Sequence, residues 1–160
     1  MTNFQIRKAR QNDCGVILHF IRSLAAYENL SHEVIATEEA LQRSLFGEKA
    51  FAEVILGFED DKPVGFALFF HNYSTFLAQP GLYLEDLFVE PDSRGRGYGK
   101  ALLKELARYA VERNCGRLEW SVLDWNQPAI DFYLSLRAAP MSDWTTFRLT
   151  GEDLRRLSIS

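Results

Sequence analysis

A chain of 160 residues, 47% hydrophobic and 25% charged, has the size and balance of one globular core, so a single domain over residues 1–160 is expected. No apolar run approaches the roughly 18 residues of a membrane helix, and the two cysteines, Cys14 and Cys115, are too few for a disulfide framework and lack metal-ligand spacing. A formal net charge of −4 speaks against nucleic acid, which needs a basic patch, and favours a cationic partner. The first residues run directly into a strand-like pattern and not into a signal peptide, so the expected location is the cytoplasm.

Residues 4–8 read as a short strand. Asn12 or Asp13 can cap the helix that follows, where Ile17, Phe20, Ile21, Leu24 and Ala25 recur at helical spacing on one face. Residues 27–36 are a polar connection. Thr37 is placed to cap a second helix with Glu38 and Glu39 in its first turn, and Gly47 to end it. Two apolar, aromatic-rich runs, 51–58 and 63–72, joined by Glu59-Asp60-Asp61-Lys62, predict an antiparallel hairpin. Residues 82–89 predict another strand, with two adjacent carboxylates, Glu85 and Asp86, in its middle.

After the segment 90–100 comes a strong helix with Leu103, Leu106, Ala107, Ala110 and Val111 on its expected buried face. Residues 117–123 read as a strand, and Asn126-Gln127-Pro128 opens a helix to about Leu136. A last strand over about 145–149 and a short polar helix close the chain. The order β-α-α-β-β-β-α-β-α-β predicts a mixed α/β layer fold.

The chemistry concentrates in the strand, loop and helix at 82–111. Gly95, Gly97 and Gly99 leave backbone N–H groups uncovered where a helix begins. Such groups, with the positive end of the helix dipole, make a phosphate site, and Arg94 and Arg96 add cationic donors. The Walker pattern is absent because no Ser or Thr follows Lys100. A dinucleotide fingerprint fits poorly, because the loop falls late in the chain and Glu119 lies inside a strand. His19, His32 and His71 are not placed like a catalytic base.

Arg94-Gly95-Arg96-Gly97-Tyr98-Gly99 fits the pyrophosphate signature of the GNAT N-acetyltransferases, Gln/Arg-x-x-Gly-x-Gly/Ala. Tyr83-Leu84-Glu85-Asp86-Leu87-Phe88-Val89, the stretch from Trp125 to Tyr133, and Ala26-Tyr27-Glu28 extend the likeness over nearly the whole chain. Within the superfamily the sequence most resembles the diamine (spermidine/spermine) and thialysine acetyltransferases. The resemblance implies the GNAT fold: a mixed, mostly antiparallel sheet with splayed central strands flanked by helices. It also implies an acetyl-coenzyme A-dependent enzyme that acetylates a primary amine of a di- or polyamine or a lysine-like molecule by direct attack in a ternary complex, without a metal. An antibiotic amine or a protein N-terminus as acceptor, and a non-catalytic acyl-coenzyme A sensor, are the alternatives.

On this likeness, Leu87, Phe88 and Val89 line the pantetheine gap, opened by a strand bulge. Arg94, Gly95, Arg96, Gly97, Tyr98, Gly99 and Lys100 surround the diphosphate, and Asn126 contacts the coenzyme arm. Tyr133 hydrogen-bonds the leaving thiolate. A phenol of pKa about 10 gives its proton to a thiol of about 8.5 only at a cost of roughly 2 kcal/mol, so hydrogen bonding precedes transfer. Glu85 anchors the cationic acceptor and takes its proton through a water, with Asp86 as a second carboxylate. Tyr27, by a cation–π face, Glu28, Glu119, Trp120 and Ser121 complete the acceptor side. One departure stands out: Arg137 occupies the place where the family usually has a helix-ending Gly. A homodimer exchanging C-terminal contacts near Trp144 and Phe147 is also implied.

Overall fold

The computed structural model describes residues 2–160. Backbone contacts divide the chain into two compact units, one ending at Ser121 and one spanning Val122–Ser160.

The first unit is a five-stranded sheet in the order β1-β2-β3-β4-β5, with β1 at Phe4–Lys8, β2 at Glu53–Glu59, β3 at Lys62–Ser74, β4 at Gln79–Val89 and β5 at Leu118–Trp120. The first four strands pair antiparallel, and β4 and β5 pair in parallel. This is the mixed, mostly antiparallel α/β sheet expected from the sequence. Helices α1 (Cys14–Tyr27), α2 (Glu38–Phe46) and α3 (Tyr98–Glu112) belong to this unit.

Helices α1 and α2 cover one face of the sheet through a core of Ile17, Phe20, Leu41, Leu45, Val54, Leu56, Phe66 and Phe88. Phe20 stacks on Phe66 at 5.5 Å between ring centroids and meets Phe88 at 6.1 Å. Burial of each such aromatic contributes about 2–3 kcal/mol. Helix α3 covers the other face, where Phe69 meets Tyr109 at 5.9 Å and Phe4 stacks on Tyr98 at 4.0 Å.

Several expectations need correction in detail. Asp13 precedes α1, but its carboxylate turns back to accept from the Arg10 N–H at 2.7 Å and from Arg7, so it makes no side-chain cap. Thr37 caps α2 as expected, its Oγ1 accepting from the Ala40 N–H at 3.2 Å. Gly47 ends that helix in an extended conformation; a Cβ there would lie 2.3 Å from the Arg43 carbonyl oxygen, so close approach explains the glycine. In α3 the buried stripe is Leu102, Leu103, Leu106, Tyr109 and Ala110, whereas Ala107 and Val111 face solvent. Tyr109 draws the stripe round because its ring packs on the sheet. Strand β5 stops at Trp120, short of the expected 123.

The second unit holds α4 (Gln127–Ser135) and α5 (Gly151–Ile159). The strand expected at 145–149 is not formed. Its aromatic and β-branched residues have strand propensity, but no ladder partner takes them up.

Candidate active site

Strand β4 carries the first part of the site. Leu84 pairs with Phe69 and Asp86 with Leu68, so Glu85 is an extra residue that bulges from the ladder. A strand side chain alternates faces, and the bulge resets that alternation. Leu82 and Leu84 before it, and Leu87 and Val89 after it, therefore share the α3 face. Asp86 and Phe88 share the α1 face. Glu85 is thereby exposed, whereas Asp86 stays half-buried.

The same point is where the sheet opens. Strand β5 pairs with β4 only over Leu82–Leu84. From Glu85 to Val89 the β5 side of β4 carries no partner strand among the described residues, which leaves backbone polar groups for an extended polar chain.

Beyond β4, residues 91–93 form a 3₁₀ turn, and Gly95 and Gly97 follow with φ of 76° and 84°. These left-handed values suit glycine, and a Cβ on either would meet nothing within 4 Å, so the outer side of the loop is open. The first bond of the α3 ladder runs from the Ala101 N–H to the Gly97 carbonyl at 2.9 Å. The N–H groups of Tyr98, Gly99 and Lys100 therefore precede the ladder, and no side chain caps the helix. The donors and the dipole that an oxyanion needs are present together.

The arginines of the loop are engaged with protein partners. The Nε of Arg94 donates to the Val89 carbonyl at 2.8 Å, and its guanidinium lies 5.0 Å from the Tyr27 ring centroid and 5.2 Å from that of Phe88. The cation over Tyr27 is thus Arg94, which ties the end of α1 to the glycine loop. Arg96 is paired with Glu59. A surface concavity of about 650 Å³ beside that pair is lined by Glu59, Asp60, Asp61 and Asp92 against Lys62 and Arg96. Its charge is wrong for a diphosphate.

Around the bulge the carboxylates gather. Burial, then the charges of Glu85 and Glu28, push the Asp86 carboxyl up to about 6. Burial also raises the Glu28 carboxyl. Glu28 is thus within electrostatic range of Asp86, whereas the ring of Tyr27 is covered by Arg94. Just beyond β5, Ser121 lies with its Oγ 2.8 Å from the Tyr83 hydroxyl. Glu119 accepts from Asn72 Nδ2 at 3.1 Å and lies 2.8 Å from Arg117 Nε, so its charge is held in a local network. Trp120 is half-buried. The sequence pattern did not single out Ser93 or Glu59, which shape the loop. Both are distant from the glycine motif in residue type, and Glu59 also in chain position.

In the second unit, Asn126 is buried and caps α4, its Oδ1 accepting from the Ala129 N–H at 3.4 Å. Tyr133 lies on α4, half-buried, with its ring 5.5 Å from that of Phe132. Arg137 takes φ 65° just after the helix. The Arg137 N–H donates to the Leu134 carbonyl and the Ala138 N–H to the Tyr133 carbonyl, a Schellman ending that an arginine fills in place of glycine.

The comparisons with known proteins agree with this geometry. Residues 10–137 match the model of the acetyltransferase (GNAT) family. The chain is 40% identical to a thialysine N-epsilon-acetyltransferase of Bos taurus, over 99% of each chain. It is 31% identical to an L-ornithine N5-acetyltransferase of Arabidopsis thaliana, over 96% of this chain and 87% of that one. Among solved structures, an integron cassette protein from the mobile metagenome of V. cholerae superposes with a TM-score of 0.83 at 29% identity, covering 98% of each chain. A bulged, half-open central strand leading into an uncapped glycine loop, and sequence identity over the full length, lead to one conclusion: this chain belongs to the GNAT family and is an acetyl-coenzyme A-dependent N-acetyltransferase.

Proposed function

We propose that the protein transfers the acetyl group of acetyl-coenzyme A to a primary amine of a small di- or polyamine or a thialysine-like molecule. The observation that carries this reading is the cluster of Glu28, Glu85 and Asp86 at the place where β4 parts from β5. Three carboxylates beside a thioester site suit an acceptor with more than one positive charge. The likeness to thialysine and ornithine acetyltransferases points the same way.

In this reading the amides of Gly95 to Lys100 hold the diphosphate, and the open edge at Leu87–Val89 holds the pantetheine arm. Asn126 assists the arm, and Tyr133 supplies a hydrogen bond to the leaving thiolate. We read the two units as parts of one N-acetyltransferase domain. An alkylamine of pKa about 10.4 must lose its proton before it attacks, at a cost of roughly 4–5 kcal/mol near pH 7. Exposed Glu85 receives that proton through a water. Asp86, with its carboxyl near 6, is better matched to neutral pH than an ordinary carboxylate. Direct attack is favoured over an acyl-enzyme route because Cys14 is buried and burial raises its thiol, which makes it a poor nucleophile.

A homodimer fits the same reading. Trp144 and Phe147 are 76% and 92% exposed, and Leu154, Leu157 and Ile159 of α5 are exposed as well. A surface with so much apolar area in one short segment suits a second copy.

The test is thiol release from acetyl-coenzyme A with a panel of putrescine, spermidine, spermine, thialysine, lysine and aminoglycosides. Turnover is expected to favour the flexible diamines and thialysine. A clear preference for aminoglycosides, or no turnover with any small amine, overturns the acceptor assignment.

A further inference from the structure

The ion pair between Glu59 and Arg96 lies outside the glycine motif, yet it acts on the motif's shape. Glu59 is the last residue of β2, and its side chain is only 14% exposed. Its Oε1 accepts from Nη1 of Arg96, and its Oε2 accepts from the hydroxyl of Ser93 at 3.4 Å. Ser93 is buried in the 3₁₀ turn before the loop, and Arg96 sits between the two glycines with left-handed φ. One carboxylate therefore grips both ends of Ser93–Arg96. The Tyr98 hydroxyl also meets the Arg96 guanidinium, and the Tyr98 ring is stacked on Phe4 of β1. Glu59 of β2 and Phe4 of β1 thus both fasten the loop to the sheet, through Arg96 and Tyr98.

The physical need is clear. Glycines at 95 and 97 make the turn possible but leave it with the largest conformational freedom of any residue type. An anion site of backbone N–H groups works only when those groups already point to one place, because ordering them on binding weakens affinity. We propose that Glu59 is a positioning residue for the acetyl donor: by holding Ser93 and Arg96 together it fixes the path of residues 93–97 and keeps the Tyr98, Gly99 and Lys100 amides aimed at the diphosphate. Glu59 touches neither substrate. It acts through the loop, and its negative charge is paired with Arg96. The inference rests on the reading of this loop as the diphosphate site.

The experiment compares acetyl-coenzyme A with acetyl-pantetheine, which lacks the diphosphate, in wild-type protein, Glu59→Gln and Ser93→Ala. Wild type is expected to prefer acetyl-coenzyme A strongly in kcat/KM. Glu59→Gln loses a charge-assisted bond and is expected to raise KM for acetyl-coenzyme A about tenfold. Its kcat, its acceptor KM and its kcat/KM for acetyl-pantetheine are expected to stay unchanged. Ser93→Ala keeps the ion pair and gives a smaller rise of the same kind, and it serves in place of Glu59→Gln should that variant fail to fold. A preference retained in full, a lowered KM, or an equal loss with both donors overturns the role of Glu59. If wild type itself shows no preference, the diphosphate reading of the loop fails and the positioning role falls with it.

Discussion

The ionisation of Asp86 is strongly altered by its surroundings. Its carboxyl is raised from 3.8 to about 6 by burial and by the charges of Glu85 and Glu28. Between those values the folded protein holds a proton that the unfolded chain has released. Stability therefore falls as pH rises from about 4 to about 6, by at most about 3 kcal/mol and by less to the extent that water reaches the carboxyl. Asp86→Asn is expected to flatten this part of the denaturation profile and to raise stability at pH 7 by about 1–2 kcal/mol, measured by urea unfolding across pH. The same variant is expected to lose the rise in acceptor kcat/KM that wild type shows through pH 6. A wild-type profile with no inflection near 6 contradicts the carboxylate cluster. In the proposed reading, this cost is what a negative site for a cationic acceptor entails.

At the scale of elements, Arg137 marks a helix end under mild strain. Its φ of 65° is a glycine conformation, and a side chain there costs about 1 kcal/mol. Arg137→Gly is expected to raise unfolding stability by about 0.5–1 kcal/mol, read from the urea midpoint, with no change in the helix it ends; a fall in stability contradicts the strain. This position was legible in the sequence, since glycine is the residue that such an ending prefers. The glycine loop was legible because alternating glycines at a helix start are conspicuous; a bulge in β4 was expected only from the family likeness, and its place at Glu85 came from the strand register. The buried stripe of α3 was misread, because Tyr109 looks amphipathic in sequence and only packing against Phe69 shows which way it turns. Strand β5 was read too long because apolar alternation continues to Leu123, although the ladder stops where the sheet must open. The Glu59 clamp joins residues 37 apart in the chain, and no local pattern reveals it.

For the molecule as a whole, the mixed α/β class followed from the order of elements and the mostly antiparallel sheet from the family likeness, whereas the strand order and the C-terminal segment did not. Thr145 to Leu149 has strand composition but no partner within the sheet of β1 to β5. The unused strand propensity and the exposed Trp144 and Phe147 are the features on which the proposed homodimer rests. Light scattering is expected to give about twice the 18.4 kDa chain mass, and Trp144→Ser with Phe147→Asp to halve it; a monomer in both contradicts the dimer.

Every role proposed for these residues turns on where acetyl-coenzyme A sits. Titration of ¹⁵N-labelled protein with coenzyme A tests this directly, residue by residue. The amide resonances of Gly95, Gly97, Tyr98, Gly99 and Lys100 are expected to move most, followed by those of Leu87 to Val89, and those of the acidic concavity at Asp60 and Asp61 least. No shifts at saturating coenzyme A, or shifts centred on another face of the sheet, contradict the assignment.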